Sequence, residues 1–586
     1  MSGAVLVRLS GALAEARPMR DVALYELARV GHRRLLGEVI RVREDTATLQ
    51  VYEETTGLQL GEPVEPSGSG LTVELGPGLL GAILDGTGRP LGRLAEQTGA
   101  FIKPGAEADT LEPTARWPFT PAVRVGDLVE GGDVLGTVPE RPGVEHRVLV
   151  PPGVRGIVSA VVPGDFTVRE DVGRLEDGTP LRLAHPWAVR RPRPVAERLP
   201  DDRPFVTGQR VFDFLFPVAE GGAVVVPGGF GTGKTVIEQS LAKYAEADIV
   251  VYIGCGERGN EMAELLHEFP RLIDGATGRS IMDRTVMIVN TSNMPVAARE
   301  ASVYLGITIA EYYRDMGYRV AVMADSTSRW AEALRDISGR LGEVPAEEGY
   351  PPYLASRLAG YYERAARVRT LAGGEGSVTL ISAISPPGGD LTEAVTRHTQ
   401  RFTQCFWTLD KSLAEARMYP AVSLRDSYSR LPDELVAWWR ATASPEWPAL
   451  RTAALTMLEE AARADATARL VGADTLPERQ QWLLAMARLF EDGFLRQNAY
   501  DPVDASCSPV RQFRLLRLLL RVHARGLQAV DRGATAKALA AMPVLSSIAR
   551  ARSEIGDDNL AALDALESEV DTACASVAPG EAAVAP

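Results

Sequence analysis

The sequence predicts a multidomain protein with an N-terminal β-barrel, a central parallel α/β domain that carries a β-rich insertion, and a C-terminal helical bundle. Short β-favouring runs dominate the first 70 residues. From about residue 190 to 435, continuous apolar runs alternate with helical patterns, which is typical of strands covered on both faces. After residue 436 the strand pattern stops and apolar residues recur at helical spacing.

Length and composition limit the class of protein. A chain of 586 residues is too long for one hydrophobic core, and its 45% hydrophobic and 24% charged content is ordinary for a soluble globular protein. The net charge of −14 argues against a general nucleic-acid or anionic-membrane surface. No run approaches the ~18 apolar residues of a membrane helix, and the N-terminus resembles a strand and loop more than a signal peptide. The four cysteines have no disulfide or metal-site spacing, so we expect a cytoplasmic protein without nucleic-acid partners.

The barrel is predicted at residues 1–70 and the central domain at 71–435. Val5–Leu9, Gly37–Arg43 and Ala47–Tyr52 are β-favouring runs bounded by Gly, Asp or Thr. A turn-rich junction then leads into the central domain.

The insertion is predicted at residues 110–190. Val123–Gly136 and Val150–Val161 alternate strand-like pieces with Gly and Pro. The first piece superficially resembles a biotinyl or lipoyl hairpin, but the region contains no lysine to carry such a group. We therefore interpret it as a protein–protein contact element.

The stretch Gly228–Thr235 fits G-x-x-x-x-G-K-[ST], a loop whose backbone N–H groups surround phosphate oxygens. It follows the apolar run Ala223–Val226 and precedes a predicted helix, Lys234–Ala245, whose N-terminus would face the anion. A chance match is expected roughly 0.005 times in a chain of this composition. Because only five residues are lysine among 63 Lys and Arg, a lysine at this place is informative.

A nucleotide phosphate site follows from this motif. The Lys234 ammonium can reach the β- and γ-phosphates, and the Thr235 hydroxyl can ligate Mg²⁺. Arginine would be a poor substitute, since the loop needs a compact charge rather than a planar fork. The residues expected to bind the nucleotide are Gly228, Gly229, Phe230, Gly231, Thr232, Gly233, Lys234 and Thr235.

Three further candidates follow predicted strands, where ligands of open α/β sheets bind. Asp325 ends the apolar run Arg319–Ala324 and suits the acidic partner of Mg²⁺ and its waters. Glu257 and Arg258 follow the run Asp248–Gly254; the carboxylate can polarise a water, and the arginine can bind phosphate or brace the glutamate. Each pattern alone is weak, because Asp often caps a helix and Glu-Arg pairs are common on surfaces. Their order after the phosphate loop strengthens both.

The C-terminal part is predicted to be a helical bundle at 436–575. Phe513, Leu516 and Leu519 exemplify its helical spacing. The tail at 576–586 contains mostly small residues, which cannot bury enough surface to order themselves, so we predict that it is disordered.

Several long motifs are not explained by the phosphate loop alone: Gly254–Met262, Thr291–Ala301, Met323–Ala333, Glu343–Tyr353, Ser385–Asp390 and Gln497–Asp501. Together they resemble the catalytic A subunit of V/A-type rotary ATPases. The resemblance runs from the barrel to the helical end and includes the insertion, which is typical of A subunits. It implies that the central region is a P-loop (RecA-like) ATPase domain.

The resemblance implies a role for each matching residue. Lys234 and Thr235 would bind phosphate and Mg²⁺, and Asp325 would be the acidic residue of the metal site. Glu257 would orient the hydrolytic water, with Arg258 as its phosphate-side neighbour. The cofactors would be ATP or ADP and Mg²⁺.

The resemblance also implies an adenine pocket lined by Tyr419 and Tyr500, where the family more often has phenylalanine. A tyrosine ring can stack on adenine as a phenylalanine ring does, but each tyrosine hydroxyl would need a hydrogen bond to water or to the protein.

The implied partners are those of a rotary motor. The chain would alternate with a homologous B subunit in a hexameric ring, and that subunit would supply an arginine finger in trans. Central-stalk and peripheral-stalk subunits would connect the ring to a membrane sector that transports protons or sodium. We therefore expect the chain at the cytoplasmic face of the plasma membrane, as part of a larger complex.

Three other functions stay open at this point. A type III secretion or flagellar export ATPase shares the core but lacks the long insertion. A regulatory B subunit binds nucleotide weakly, which the intact Gly228–Thr235 loop and Glu257 argue against. A hexameric nucleic-acid translocase is disfavoured by the acidic balance and by the absence of a basic, aromatic-interleaved loop.

Overall fold

The structure is a computed structural model that describes residues 3–577 apart from Ala100, Phe230 and Ala276. The chain divides into two compact units. Unit 1 comprises Met1–Pro200, Glu220–Gly228 and Ala247–Thr403, and unit 2 comprises Asp201–Ala219, Gly229–Glu246 and Gln404–Pro586. Within the described ranges, every helix is too short or too polar to cross a membrane.

Unit 1 begins with a closed six-stranded barrel in the order β1-β2-β5-β4-β3-β6. Small and branched apolar side chains fill its interior, among them Ala14, Val30 and Leu49, all fully buried. Short side chains suit the narrow interior of a six-stranded barrel. The strands are β1 (Ala4–Ser10), β2 (Leu13–Arg17), β3 (Glu26–Val30), β4 (Leu35–Arg43), β5 (Thr46–Val51) and β6 (Pro63–Gly70).

The insertion in unit 1 consists of two four-stranded antiparallel sheets, in the orders β10-β13-β15-β16 and β12-β11-β9-β14. Val138, Val148, Val158 and Leu181 belong to their shared apolar core. The elements of this part are β7 (Thr72–Leu75), β8 (Ile83–Leu84), α1 (Leu91–Thr98), β9 (Trp117–Pro121), β10 (Leu128–Glu130), β11 (Val134–Arg141), β12 (Val144–Leu149), β13 (Arg155–Val161), β14 (Gly164–Phe166), β15 (Asp171–Leu175), β16 (Pro180–Arg182) and β17 (His185–Ala188).

Strands and helices then alternate, as the sequence predicts. The elements are β18 (Glu197–Arg198), α2 (Arg210–Leu215), β19 (Ala223–Pro227), α3 (Lys234–Tyr244), β20 (Ile249–Glu257), α4 (Gly259–Glu268), β21 (Thr285–Thr291), α5 (Val296–Asp315), β22 (Arg319–Asp325), α6 (Thr327–Leu341), α7 (Leu354–Tyr362), β23 (Ala366–Arg369), β24 (Glu375–Ile384), α8 (Ala394–Phe402), β25 (Cys405–Phe406), α9 (Lys411–Glu415) and β26 (Tyr428–Ser429).

The sheet of unit 1 is parallel in the order β19-β24-β22-β20-β21-β8. In β20, every residue from Ile249 to Gly256 is buried, which explains the uninterrupted apolar run in the sequence. β23 adds an antiparallel strand beside β24. The short edge strand β8 comes from the junction before the insertion, which the sequence marks only as turn-rich.

Unit 2 is mainly helical. Phe212 of α2 stacks on Trp407 with ring centroids 3.9 Å apart, and β25 pairs antiparallel with β26. Its last helix continues to Val577, so the first two residues of the predicted disordered tail are helical, and residues 578–586 lie outside the described range. The remaining helices are α10 (Val436–Thr442), α11 (Trp447–Val471), α12 (Glu478–Phe490), α13 (Pro509–Asp531), α14 (Ala536–Ala540), α15 (Pro543–Glu554) and α16 (Ala561–Val577).

A buried ion cluster in unit 1, the Arg190 junction, joins the barrel to α5. It consists of Glu38 on β4, Arg190 and Glu300 on α5. Arg190 Nη2 lies 2.8 Å from Glu38 Oε2 and 2.6 Å from Glu300 Oε2. The Arg190 guanidinium also lies over the rings of Tyr25 and Tyr304. The side chains of Glu38 and Glu300 are 3% and 7% exposed, so the arginine compensates two carboxylates that water scarcely reaches.

His185 on β17 is a second buried polar group in unit 1. Arg193 Nη1 donates to its Nε2 over 3.2 Å, which requires a neutral ring with its proton on Nδ1. Burial, together with the charge of Arg193 and the nearby His146, lowers the pKa of His185 to about 3. The imidazole therefore stays neutral in the folded protein.

The surface of unit 2 carries an arginine ladder between α13 and α16. Arg517 Nε lies 2.8 Å from Glu567 Oε1, and Arg525 Nε lies 2.8 Å from Asp571 Oδ1. The side chains of Arg525 and Asp571 are 41% and 32% exposed, so solvent reaches this pair, whereas the side chain of Glu567 is only 11% exposed. The members of the ladder are Arg514, Arg517, Arg521 and Arg525 on α13 and Asp564, Glu567 and Asp571 on α16.

Candidate functional site

The phosphate loop follows β19, whose five residues are all buried. Gly231 and Gly233 have φ angles of +78° and +92°, a left-handed conformation that favours glycine. Positions for a Cβ at Gly229 and Gly231 have no described atom within 4 Å, so a ligand can approach the backbone closely. The sequence pattern of glycines therefore produces an open, tightly curved loop.

The helix α3 begins at Lys234, so the last two residues of the Gly228–Thr235 motif belong to its first turn. Its N-cap residue, Gly233, has no side chain to accept from the first N–H groups of the helix. These donors and the positive end of the helix dipole suit a phosphate. Thr232 is buried and donates its hydroxyl to the Gly229 carbonyl over 2.8 Å, which closes the loop on itself, while Thr235 is exposed.

Glu257 and Asp325 lie at the same edge of the sheet in unit 1. Each is the last residue of its strand, and β20 and β22 are adjacent and parallel, with Gly254 opposite Asp325. Asp325 is 7% exposed and Glu257 is half-buried. The sequence prediction that both carboxylates follow strands is thus matched by neighbouring positions in space.

Two arginines flank the backbone just before Glu257. Gly256 has a φ of +73°, and a Cβ there would lie 2.7 Å from Cβ of Arg329 and 2.9 Å from Cδ and Nε of Arg299. Arg299 Nη2 donates to the Ser292 carbonyl over 2.9 Å, and the Ser292 N–H donates to the Glu257 carbonyl over 2.8 Å. The peptide that carries Glu257 is therefore held from both sides.

Arg329 also acts electrostatically on this edge. Its pKa is raised by a hydrogen bond to Glu332 and by the charges of Glu332, Glu257 and Glu261. Sequence reasoning missed both Arg329 and Arg299. No pattern in the sequence identifies Arg329: it lies in the first turn of α6, but Asp325 is the last residue of β22, so the two do not share a helix face.

Arg258 is the N-cap residue of α4. Its side chain is 61% exposed, and Nη1 lies 3.7 Å from Glu261 Oε1. The side chain is therefore accessible to a ligand, although an ion pair on its own helix also engages it.

Tyr419 lies beside the phosphate loop within unit 2. A Cβ at Gly233 would be 3.7 Å from Cε1 of the Tyr419 ring, and the ring is 44% exposed. Its hydroxyl donates to the Ala414 carbonyl over 3.3 Å, which supplies the protein partner that the additional hydroxyl needs. Tyr500 is 83% exposed, and its N–H donates to Asn498 Oδ1 over 3.1 Å.

Family models match four successive parts of the chain. They are the ATP synthase alpha/beta family β-barrel domain at 6–68, the ATP synthase alpha/beta subunit barrel-sandwich domain at 108–190, the ATP synthase alpha/beta family nucleotide-binding domain at 208–429, and the C-terminal domain of V and A type ATP synthase at 436–539.

Curated relatives match almost the whole length. The A subunit of the A-type ATP synthase of Thermococcus onnurineus is 50% identical over 565 residues, which cover 95% of this chain and 97% of the relative. The V-type ATP synthase alpha chain of Anaeromyxobacter dehalogenans is 56% identical over 534 residues, covering 91% and 92%. This chain belongs to the family of A (alpha) subunits of V/A-type ATP synthases.

Membership of the V/A-type A-subunit family confirms the predicted fold class and the predicted class of function. The chain is a catalytic, nucleotide-binding subunit of the ATP synthase family, and ion transport is a property of the complex. A solved structure of the assembled ATPase EscN, from the type III secretion system of enteropathogenic E. coli, has a TM-score of 0.62. It is 21% identical and covers 88% of this chain and all of its own, so this likeness shows the shared fold alone.

Within the V/A-type A subunit, the predicted site residues fall in both units. Gly228, Glu257, Arg258 and Asp325 belong to unit 1. Phe230 lies outside the described residues. Those in unit 2 are Gly229, Gly231, Thr232, Gly233, Lys234, Thr235, Tyr419 and Tyr500.

Proposed function

We propose that this chain binds Mg·ATP through Gly228–Thr235 and makes or breaks the γ-phosphate bond with Glu257 as the water-orienting group. The observation that carries this proposal is the loop: glycines with positive φ lead directly into α3, without a side-chain cap at its first turn. Backbone donors and the Lys234 ammonium would surround the phosphates, and positioning with charge stabilisation supplies most of the catalysis in phosphoryl transfer.

Magnesium fits the oxygen donors that the chain offers. The Thr235 hydroxyl is exposed, and the Asp325 carboxylate ends a strand at the edge of the sheet. Oxygen donors of this kind suit Mg²⁺, which uses few protein ligands and keeps several waters. When bound, the metal would neutralise charge on the β- and γ-phosphates. Asp325 would hold its waters, and Thr235 would be a direct ligand.

Glu257 would accept a hydrogen bond from the attacking water and orient it. Its half-buried carboxylate on a fixed backbone suits this role, because general-base groups must be placed to within hydrogen-bond reach. Arg258 is the next residue in the chain, and its exposed side chain would bind phosphate or support Glu257. Tyr419 and Tyr500 would contact the adenine base, and Phe230 would contribute its backbone to the loop.

The partners complete the proposed site. A homologous B subunit would alternate with this chain in a hexameric ring and supply an arginine finger in trans, which stabilises charge in the transition state. Central-stalk and peripheral-stalk subunits would couple the ring to a membrane sector for protons or sodium. The proposed location is the cytoplasmic face of the plasma membrane.

Lys234→Ala tests the phosphate loop. In a ring reconstituted with the B-type partner, we expect it to abolish Mg·ATP binding, measured by equilibrium binding of labelled nucleotide. Lys243→Ala on the same helix is a matched control, because Lys243 lies in the last turn against the Tyr244 ring. Retained affinity in the Lys234 variant would remove the phosphate-loop assignment.

Glu257→Gln tests the chemistry separately. The variant should bind Mg·ATP normally while turnover falls by about 10²–10⁴-fold, the usual contribution of a general base. Glu264→Gln, at an exposed position on α4, is the control and should hydrolyse normally. Near-normal hydrolysis by the Glu257 variant would refute its role. Wild-type chain without the B-type partner should hydrolyse ATP poorly, and robust activity of the monomer would contradict the trans arginine.

A further inference from the structure

Arg210, the first residue of α2, is fully buried in unit 2. Most of its hydrogen-bond partners are almost 300 residues later in the sequence. Its Nε donates to the Phe494 carbonyl over 2.6 Å, and its Nη2 donates to the Arg496 carbonyl over 2.7 Å. The same Nη2 lies 2.6 Å from Asp504 Oδ1. One planar guanidinium thus holds three points of a single segment, which we name the Tyr500 segment (residues 494–504).

The backbone beside Arg210 strengthens the same attachment. The Arg210 N–H donates to Gln497 Oε1 over 2.9 Å, and Gln497 Nε2 donates to the Gly208 carbonyl over 2.9 Å. Gln497 is 2% exposed, so neither bond competes with water. The entry to α2 and the Tyr500 segment therefore fix each other through both side chains.

Asp504 is the carboxylate at the centre of this arrangement, and its exposed fraction is 0%. Besides Arg210, its Oδ2 accepts from the Asn498 N–H over 2.8 Å and pairs with Arg552 of α15. A buried carboxylate with these partners shapes the turn that presents Tyr500, since Asn498 in turn accepts from the Tyr500 N–H. A buried pair of this kind is weak evidence for net stability, because desolvation of the two charges offsets their attraction.

The Tyr500 segment also holds the other tyrosine of the proposed base pocket. The Gln497 N–H donates to the Tyr419 carbonyl over 2.9 Å. The Tyr419 ring in turn lies beside Gly233 of the phosphate loop. A continuous chain of bonds in unit 2 therefore runs from Arg210 through Gln497 to the backbone of Tyr419, and from Arg210 through Asp504 and Asn498 to Tyr500.

We propose that Arg210 and Asp504 are positioning residues for recognition of the nucleotide base, and that they leave recognition of the phosphates unaffected. The inference rests on the proposed function, because it takes Tyr419 and Tyr500 as the groups that contact the base. The phosphate loop closes on itself through Thr232, whereas the bonds of Arg210 described above go to the Tyr500 segment. Loss of the bonds between Arg210 and the Tyr500 segment should therefore weaken binding of a nucleoside triphosphate. Binding of the triphosphate chain alone should be unaffected.

Arg210→Lys is the first test, because lysine keeps the buried charge but cannot make three bonds from one planar fork. Full-length chain is titrated with Mg·ATP and, separately, with Mg·tripolyphosphate in a calorimeter. We expect the Kd for ATP to rise about 10–100-fold, as for one or two lost charge-assisted hydrogen bonds, and the Kd for tripolyphosphate to change less than about twofold.

Arg451→Lys is the matched control. Arg451 is half-buried in unit 2 and donates through Nε to the Phe214 carbonyl over 2.8 Å, so it holds the end of α2 rather than the Tyr500 segment. It should leave both Kd values unchanged. A neutral second variant, Gln497→Met, leaves no charge unpaired and should reproduce the ATP-selective loss even if Arg210→Lys fails to fold.

Equal losses for ATP and tripolyphosphate in the folded variants would overturn the proposal, because they would mean a general effect on the fold. Unchanged ATP affinity in both Arg210→Lys and Gln497→Met would overturn it as well. Tyr419→Ala separately tests the assumption that Tyr419 contacts the base. A loss of affinity for ATP but not for tripolyphosphate supports the base pocket, whereas unchanged ATP affinity in that variant refutes the pocket itself. A refuted pocket removes the proposed role of Tyr419 even if Arg210→Lys weakens ATP.

Discussion

The Arg190 junction of unit 1 and the arginine ladder of unit 2 use the same functional groups in opposite surroundings. In the junction, Glu38 and Glu300 are almost inaccessible to water and share one guanidinium. In the ladder, the side chains of Arg525 and Asp571 on α13 and α16 are 41% and 32% exposed, and that of Asp564 is 58% exposed. We expect the burial of an ion pair, rather than the number of pairs, to determine how much stability is lost when one charged residue is removed. Removal of a buried partner leaves the remaining charge without solvation.

The largest expected effect comes from breaking the junction. Arg190→Met should destabilise the chain by about 3–5 kcal/mol, since two buried carboxylates would lose their counter-charge. Urea denaturation followed by circular dichroism measures the loss. Arg525→Met in the ladder is the matched control, because both Arg525 and its partner Asp571 are partly exposed. Equal losses in the two variants would contradict the role of burial.

The second effect sharpens the same comparison. The triple variant Glu38→Leu, Arg190→Met, Glu300→Leu should be more stable than Arg190→Met alone, because no unpaired charge remains in the interior. The same urea titration compares the two. A triple variant less stable than the single one would mean that the junction contributes net stability rather than a defined geometry.

A third, smaller effect depends on pH. The folded-state pKa of His185, about 3, lies below its ordinary value of 6.5, so the folded protein binds fewer protons than the unfolded chain between these values. The stability that neutral His185 contributes is therefore fully present above pH 6.5 and is lost as the pH falls below it. The slope is at most about 1.4 kcal/mol per pH unit. His185→Gln should flatten the dependence of the unfolding midpoint between pH 6.5 and 5, whereas His267→Gln, on the exposed face of α4, should not.

The smallest effect belongs to the ladder. Arg525→Met should cost less than about 1 kcal/mol, and about 0.5 M salt should reduce the difference from wild type, because exposed pairs are screened. Hydrogen exchange of the α16 amides reports the local loss. A salt-independent loss would show that Arg525 acts by packing of its aliphatic stem rather than by its charge.

Much of the fold follows from local patterns. The strands β20 and β22 are visible as uninterrupted apolar runs, and the spacing of glycines around Lys234 predicts the loop and the start of α3. These features depend on residues close together in the chain. The carboxyl ends of neighbouring parallel strands then place Glu257 and Asp325 along one edge.

The supporting groups could not be predicted in the same way. Arg299 and Arg329 flank Gly256, and Arg210 bonds to a segment almost 300 residues later; single positions in an arginine-rich sequence do not reveal such distant partners. The edge strand β8 has two residues, too few for a periodic signal. The role assigned to Tyr419 and Tyr500 came from family resemblance, and it stays a prediction.

Gly256 has a consequence for the backbone at the edge of the sheet that carries Glu257. A Cβ at Gly256 would clash with both Arg329 and Arg299, so these two side chains pack closely against the backbone before Glu257. A carboxylate on a fixed backbone needs only side-chain torsions to reach its position, so the proposed role of Glu257 in orienting a water would need no rearrangement of the local backbone.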